Sequence, residues 1–95
     1  MHARLAETIA QLKAAKSSIR CEELAVSLRG LGFDVRPGKA GHKLVTHPGL
    51  AGFSSMSYNC GHGKNPEIKP AYVVNVLRVF RQYEIELDEF LKEQK

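Results

Sequence analysis

Two apolar stripes at helical spacing open the chain. The first runs through residues 4–15, and the second begins after residues 16–18 break the periodicity. Glu23 stands where a capping glutamate is expected, and Ile19 and Leu24 are placed as a hydrophobic staple across the helix start. The pattern therefore predicts two separate helices before the first strand.

Three short extended runs follow these helices, and the first and third alternate between apolar and polar residues. They are residues 33–36, residues 42–47 and a run in which Met56, Tyr58 and Cys60 share one face. A period of two predicts strands, and polar residues on the other face predict a sheet packed on one side and wet on the other. Short turns between the runs predict an antiparallel meander.

A last helix is predicted to begin at Pro70, because proline is favoured at the first helical position. Its apolar stripe from Val73 to Phe80 can be extended to Leu91, so one long helix and two joined helices both fit the pattern. Helices on either side of a run of strands predict an α+β fold, in which helices cover one face of a three-stranded antiparallel sheet.

The distribution of charge adds a functional expectation to this fold. The chain has 95 residues and a formal net charge of +4, which suits one domain with one modest core. Between positions 29 and 81 the only acids are Asp34 and Glu67, whereas the segment after residue 83 is acidic. The basic residues of the middle stretch are Arg29, Arg36, Lys39, Lys43, Lys64, Lys69, Arg78 and Arg81. A polyanion is the natural partner for this stretch, although a solvated basic surface has the same composition.

The expected compartment is the cytoplasm. No segment is long and apolar enough to span a bilayer, and the first residues do not resemble a secretory signal. The two cysteines, Cys21 and Cys60, could form one bridge, but two reduced cytoplasmic thiols are the favoured interpretation. They form no paired ligand motif with the histidines, so neither a metal nor a cofactor is predicted.

The run from Lys39 to Lys43 is the first candidate for chemistry. A glycine-bearing turn delivers His42 to the start of a strand between two lysines. Histidine moves protons near neutrality, and positive charge beside it can stabilise a phosphate, which are two requirements of RNA cleavage without a metal. A hairpin turn with a partly exposed histidine is the structural alternative.

The loop from His62 to Pro70 is the second candidate. Lys64, Lys69 and the free amides at the start of the last helix could together hold a phosphate. An ordinary solvated loop is the alternative. Tyr58 and Tyr72 could stack a base, although packing in the core or against a partner is favoured for both.

Taken together, these segments resemble the HicA family, the small mRNA-interferase toxins of HicA–HicB toxin–antitoxin modules. The similarity covers about residues 19–80 and begins with a helix that ends in Leu31-Gly32-Phe33. Gly41-His42 is similar to the family's glycine/serine-histidine motif. His62-Gly63 followed by Glu67-Ile68-Lys69-Pro70 is similar to the family's loop into the last helix. The serine that often precedes the family's histidine is absent here.

The resemblance implies a single domain over residues 1–95 with a fold like that of the double-stranded-RNA-binding domain, α-β-β-β-α. A HicA-like core would span residues 19–82, an extra helix would occupy residues 1–16, and an acidic helical extension residues 83–95. The two extensions could serve dimerisation or antitoxin docking.

The resemblance also implies a function. The chain would be the toxin of a type II toxin–antitoxin system, a stress-response endoribonuclease that cleaves mRNA and blocks translation without a metal or cofactor. His42 would be catalytic, and a HicB-type antitoxin would cover it. The residues that would contact RNA are Lys39, Gly41, Lys43, His62, Lys64 and Lys69. A non-catalytic RNA-binding module and a protein-interaction domain with an acidic partner are the alternatives.

Overall fold

The computed structural model describes residues 1–15 and 18–94. In these residues the chain forms helices α1 (Ala3–Ala15), α2 (Cys21–Gly30), α3 (Pro70–Gln82) and α4 (Glu84–Glu93), and strands β1 (Asp34–Pro37), β2 (His42–Thr46) and β3 (Met56–Asn59). Lys16 and Ser17, where the helical periodicity breaks, lie outside the described residues, and so does Lys95 at the end of the acidic extension. The predicted α+β class and the extra N-terminal helix are confirmed.

The sheet is the antiparallel meander that the alternation predicts. Its strand order is β1-β2-β3, so β2 is central and β3 is an edge. Val45 of β2 lies opposite Val35 on one side and Met56 on the other, and all three side chains are buried. The single core cluster also takes apolar side chains from all four helices, including Leu5, Leu24, Val73, Phe80 and Leu87.

The start of α2 is tied to the loop that precedes α3. The backbone N–H of Arg20 donates to the Glu23 carboxylate at 2.9 Å, which is the capping contact that the sequence predicts. Cys21 donates its N–H to the carbonyl of Pro66, and Ile68 donates to the carbonyl of Ile19, each at 2.9 Å. This short backbone pairing fixes the second candidate loop against the first turn of α2.

The last apolar stripe belongs to two joined helices. Helix α3 ends at Gln82, and Tyr83 stands between it and α4 with a φ of −110°. Leu87 and Leu91 of α4 are buried in the same core as α3. The acidic extension is therefore a helix that packs on the domain, and the one-helix alternative is excluded. Its Asp88 carboxylate accepts a hydrogen bond from the His2 N–H at 2.8 Å. No helix among the described residues is long and apolar enough to cross a membrane.

The structure overturns the prediction made for the two cysteines. Cys21 and Cys60 form a disulfide across a sequence separation of 39 residues, with their Cα atoms 5.5 Å apart. The expectation of two reduced thiols is therefore wrong for this structure. The reason is tertiary: Cys21 opens α2, Cys60 follows β3, and the pairing of residues 19–21 with residues 66–68 brings these two ends together.

Candidate nucleic-acid interface

A tight turn fixes the backbone of His42. The N–H of Gly38 donates to the His42 carbonyl at 2.7 Å, and the N–H of His42 donates to the Lys39 carbonyl at 3.0 Å. Between them Ala40 and Gly41 have φ angles of 52° and 82°, in the left-handed region. The turn therefore delivers His42 to the first position of β2 with little backbone freedom.

The His42 side chain lies on the open face of the sheet. Val45 points into the core, so alternation along β2 places Lys43 on the covered face and both His42 and Leu44 on the other. His42 and Leu44 are exposed. In the register of β2 with β3, His42 lies opposite Asn59, whereas Lys43 lies opposite Tyr58. Two residues that are adjacent in the sequence motif therefore serve opposite faces.

The two candidate segments meet at Gly41 and Gly61. The N–H of Cys60 donates to the Gly41 carbonyl at 2.9 Å, which continues the β2–β3 ladder past the end of both strands. A Cβ on Gly41 would lie 2.6 Å from the carbonyl oxygen of Gly61, closer than real side chains stand. His42 and His62 each follow one of these touching glycines, so strand pairing joins the His42 turn to the second basic loop.

The basic loop is exposed but anchored. His62, Lys64 and Lys69 are all exposed. Asn65, with a φ of 52°, accepts a hydrogen bond from the Glu22 N–H through its Oδ1 at 2.9 Å, and its backbone oxygen accepts from the Arg20 guanidinium at 3.0 Å. The first turn of α2 thus holds the middle of the loop in place.

Lys43 faces a different environment from His42. It lines an open cleft of about 390 Å³ beside the disulfide, together with Glu22, Gly41 and Asn65. Glu22 brings a carboxylate to the same cleft. Lys39 lies in the exposed turn itself. Of the two lysines that flank His42, only Lys39 lies on the surface formed by the His42 turn and the open face of the sheet.

The structure adds Asn59 to the site and gives a place in it to Glu67, which had no assigned role in the loop motif, and to Tyr72, which was considered only for base stacking. Asn59, Glu67 and Tyr72 line a cavity of about 150 Å³ at the end of β3, together with Lys69. The alternation in β3 assigns Asn59 to the wet face, but only the register places it opposite His42. Tyr72 is half-buried, so its ring remains partly accessible. Tyr58, the other tyrosine considered for stacking, is only 1% exposed and belongs to the core.

His47 is a core residue and lies apart from these groups. Its ring is 8% exposed and packs edge-on against Phe33 and Phe90, with centroid distances of 4.6 Å to each. The Gly49 N–H donates to Nδ1 at 3.0 Å, so Nε2 carries the proton and donates to the Leu31 carbonyl at 3.0 Å. Burial lowers the pKa of His47, against the smaller opposing effect of the bond to Leu31.

The end of the β2–β3 pair carries an exposed imidazole, nearby cations and a carboxamide. Such groups can transfer a proton and donate hydrogen bonds to phosphate. Among residues 1–15 and 18–94 no three His, Cys, Asp or Glu side chains gather at one point. No protein-family model, curated protein or solved structure matches this chain.

Proposed function

We propose that this chain is the toxin of a HicA-type toxin–antitoxin module, a metal-independent endoribonuclease that cleaves mRNA through His42. The observation that carries the proposal is the exposed His42, fixed by its turn at the head of β2 and joined through Gly41 to the basic loop. The order α2-β1-β2-β3-α3 supports a core like the double-stranded-RNA-binding domain, with α1 and α4 added to it.

The chemistry proposed for His42 is transfer of the RNA 2′-hydroxyl proton. The imidazole removes this proton, O2′ forms a bond to the neighbouring phosphorus, and the bond from phosphorus to O5′ breaks. The departing 5′ oxygen takes a proton from water, and the imidazolium returns its proton to the hydroxide that remains, so the products are a 2′,3′-cyclic phosphate and a 5′-hydroxyl. Lys39 lies in the same turn and stabilises the negative charge on the phosphate.

The remaining basic residues hold the RNA chain. Exposed His62, Lys64 and Lys69 follow the contact between Gly41 and Gly61, so they suit the phosphates on one side of the cleaved bond. Lys43, on the covered face, suits a more distant phosphate at the cleft beside the disulfide. Phosphate contacts of this kind make RNA affinity fall steeply with salt.

The partner in this proposal is an acidic HicB-type antitoxin. It would cover the open face around His42, where exposed Leu44 offers an apolar contact beside the basic turn. The proposal places both proteins in the cytoplasm, where thiols are kept reduced. The Cys21–Cys60 bond is at odds with that compartment, so activity is to be measured with and without a dithiol reductant.

The deciding experiment compares wild type, His42→Ala and Leu44→Ala in a bacterial host. Leu44 is exposed on the same face of the same strand and cannot transfer a proton, so it is the matched control. Growth arrest and mRNA loss are expected with wild type and Leu44→Ala, and neither with His42→Ala. The purified wild type should cleave mRNA in the presence of EDTA. An equally active His42→Ala would overturn the proposal.

A non-catalytic RNA-binding module is the second candidate. It is favoured by one observation: no described residue forms a hydrogen bond to the His42 ring, so no side chain orients it as a base. Double-stranded RNA is bound mainly through backbone and 2′-hydroxyl contacts, which need cations more than a histidine. Wild-type protein that retains RNA but leaves it intact would favour this function.

A further inference from the structure

The cavity at the end of β3 adjoins the strand position opposite His42. Asn59 lines it and sits directly opposite His42 in the strand register. Opposed residues of an antiparallel pair have Cβ atoms about 4.5–5.5 Å apart. A nucleotide whose base entered this cavity would therefore have its phosphate within reach of the His42 imidazole.

One hydrogen bond fixes the Asn59 side chain and leaves its amide nitrogen available as a donor. Its Oδ1 accepts a hydrogen bond from the Gly61 N–H at 2.7 Å. The amide nitrogen of the same side chain is left as a donor of two hydrogen bonds. A donor fixed in this way at the mouth of a cavity suits a sugar or phosphate oxygen.

The size and wall of the cavity suit the six-membered ring of a base, with the five-membered ring of a purine and its ribose left outside. Its volume is about 150 Å³, and a cavity of about 150 Å³ accommodates a benzene ring. Tyr72, in the first turn of α3, is half-buried and packs against the core on one side. Its other side offers an aromatic surface, on which bases stack.

Two charged groups that line the cavity determine which base can bind there. The Glu67 carboxylate can accept two parallel N–H bonds, and the Lys69 ammonium can donate one. Guanine is the base whose pairing edge offers two adjacent N–H donors, N1–H and N2–H, next to the acceptor O6. Adenine, cytosine and uracil present no such pair. The backbone pairing of Ile68 with Ile19, at 2.9 Å, fixes the segment between the two charged residues.

We propose that the cavity lined by Asn59, Glu67, Lys69 and Tyr72 is a subsite for one unstacked guanine of the RNA. Tyr72 stacks the base, Glu67 and Lys69 read its edge, and Asn59 holds the connecting backbone near His42. The inference rests on the proposed RNA cleavage, because it names the nucleotide that the same site prefers.

The test is a titration of the full chain, followed by NMR, with the four ribonucleoside 3′,5′-bisphosphates. These probes carry one base with a phosphate on either side, as in RNA. The guanosine compound should bind about tenfold more tightly than the others and should shift the Asn59 and Tyr72 signals. Inorganic phosphate, as a control, should leave the Tyr72 signals in place.

Three variants sharpen the titration. Glu67→Gln, at an exposed position, should abolish the preference for guanosine because a carboxamide cannot accept both N–H bonds. Tyr72→Leu should weaken the binding of all four probes by about 5- to 150-fold, and Tyr72→Phe should retain binding.

The two proposals fail in different ways. Equal affinity for the four bisphosphates, or shifts confined to residues outside the cavity, would overturn the guanine subsite. Guanosine preference in a chain that leaves RNA intact would support the subsite and overturn the ribonuclease. Cleavage of RNA with no preference at guanosine would support the ribonuclease and overturn the subsite.

Discussion

Gly41 and Gly61 touch backbone to backbone at the place where β2 begins and β3 has ended. The carbonyl oxygen of Gly61 would lie 2.6 Å from any Cβ at Gly41, and its backbone nitrogen 3.2 Å away. The contact leaves no room for a side chain at position 41. It is the physical link between the His42 turn and the basic loop, so it bears directly on the proposed site.

Gly41→Ala should therefore destabilise the fold more than an ordinary loss of glycine. A left-handed backbone costs alanine about 1–2 kcal/mol, and the clash with Gly61 should add about 1–3 kcal/mol. Gly52 has nearly the same φ, 81° against 82°, with nothing within 4 Å of a Cβ, so Gly52→Ala is the matched control. Urea unfolding of both variants measures the difference. Equal losses of unfolding free energy in the two variants would show that the contact between Gly41 and Gly61 adds nothing to the cost of the substitution.

The disulfide should contribute a measurable part of the stability. A bond that closes a loop of 39 residues restricts the unfolded chain and typically adds about 2–4 kcal/mol. Replacing Cys21 and Cys60 together by serine should lower the unfolding free energy by this amount, and a dithiol should do the same to wild type. The unfolding free energy of the double serine variant should not change when the dithiol is added, so this variant is the control for the reductant.

Free-thiol titration gives an independent check on the bond. Folded wild-type protein purified without reductant should show no reactive thiol. Detection of two thiols per chain, or an unfolding curve that the reductant leaves unchanged, would contradict the Cys21–Cys60 link.

Stability should fall as the pH drops below neutrality because of His47. Its folded pKa lies below the ordinary value of 6.5, since burial disfavours the imidazolium. Between that lowered pKa and 6.5 the unfolded chain binds more protons, so stability is lost as the pH falls through this window and levels off below it. Urea unfolding at pH 5–8 measures the slope.

His47→Gln should reduce this slope, whereas His62→Gln, at an exposed loop position, should leave it unchanged. Protonation of His47 at low pH is expected to loosen α4, because Phe90 of α4 packs on the His47 ring. Amide exchange in α4 that stays constant from pH 8 to pH 5 would contradict this coupling.

Tyr58→Phe should leave the stability unchanged or raise it by up to about 1 kcal/mol. The hydroxyl is buried, and no described residue forms a hydrogen bond with it. Burial raises the pKa of this tyrosine to about 12. Removing an unpaired buried hydroxyl removes its desolvation cost while the ring keeps its packing. Tyr72→Phe is the half-buried control, and a loss above 1 kcal/mol for Tyr58→Phe would reveal a hidden partner.

Local patterns in the sequence predict most of the elements of this fold. Period-two alternation places Met56 and Tyr58 on the buried face of β3, and helical spacing places Leu5 and Leu24 in the core. Pro70 marks the first residue of α3. These predictions succeed because they depend on neighbours within a few residues, where backbone geometry alone relates side-chain positions.

The site could be predicted only in part. The sequence singles out His42 and the basic loop, and strand alternation separates His42 from Lys43 once the buried face is known. Asn59 carries no signal in a single sequence, because a polar residue at a strand end is ordinary, and the sequence offered Tyr72 only as one of two tyrosines that could stack a base. Their proximity to His42 follows from the β2–β3 register and from the position of α3.

The sequence by itself determined most of the elements, the face that β3 buries and the basic character of the middle of the chain. Only the tertiary structure decided that Cys21 bonds to Cys60, that Gly41 rests on Gly61 and that Asn59 stands opposite His42. Each of these pairs is separated by about 17 to 39 positions. Periodicity carries no information over such distances, because the distance between two segments is set by how the whole core packs.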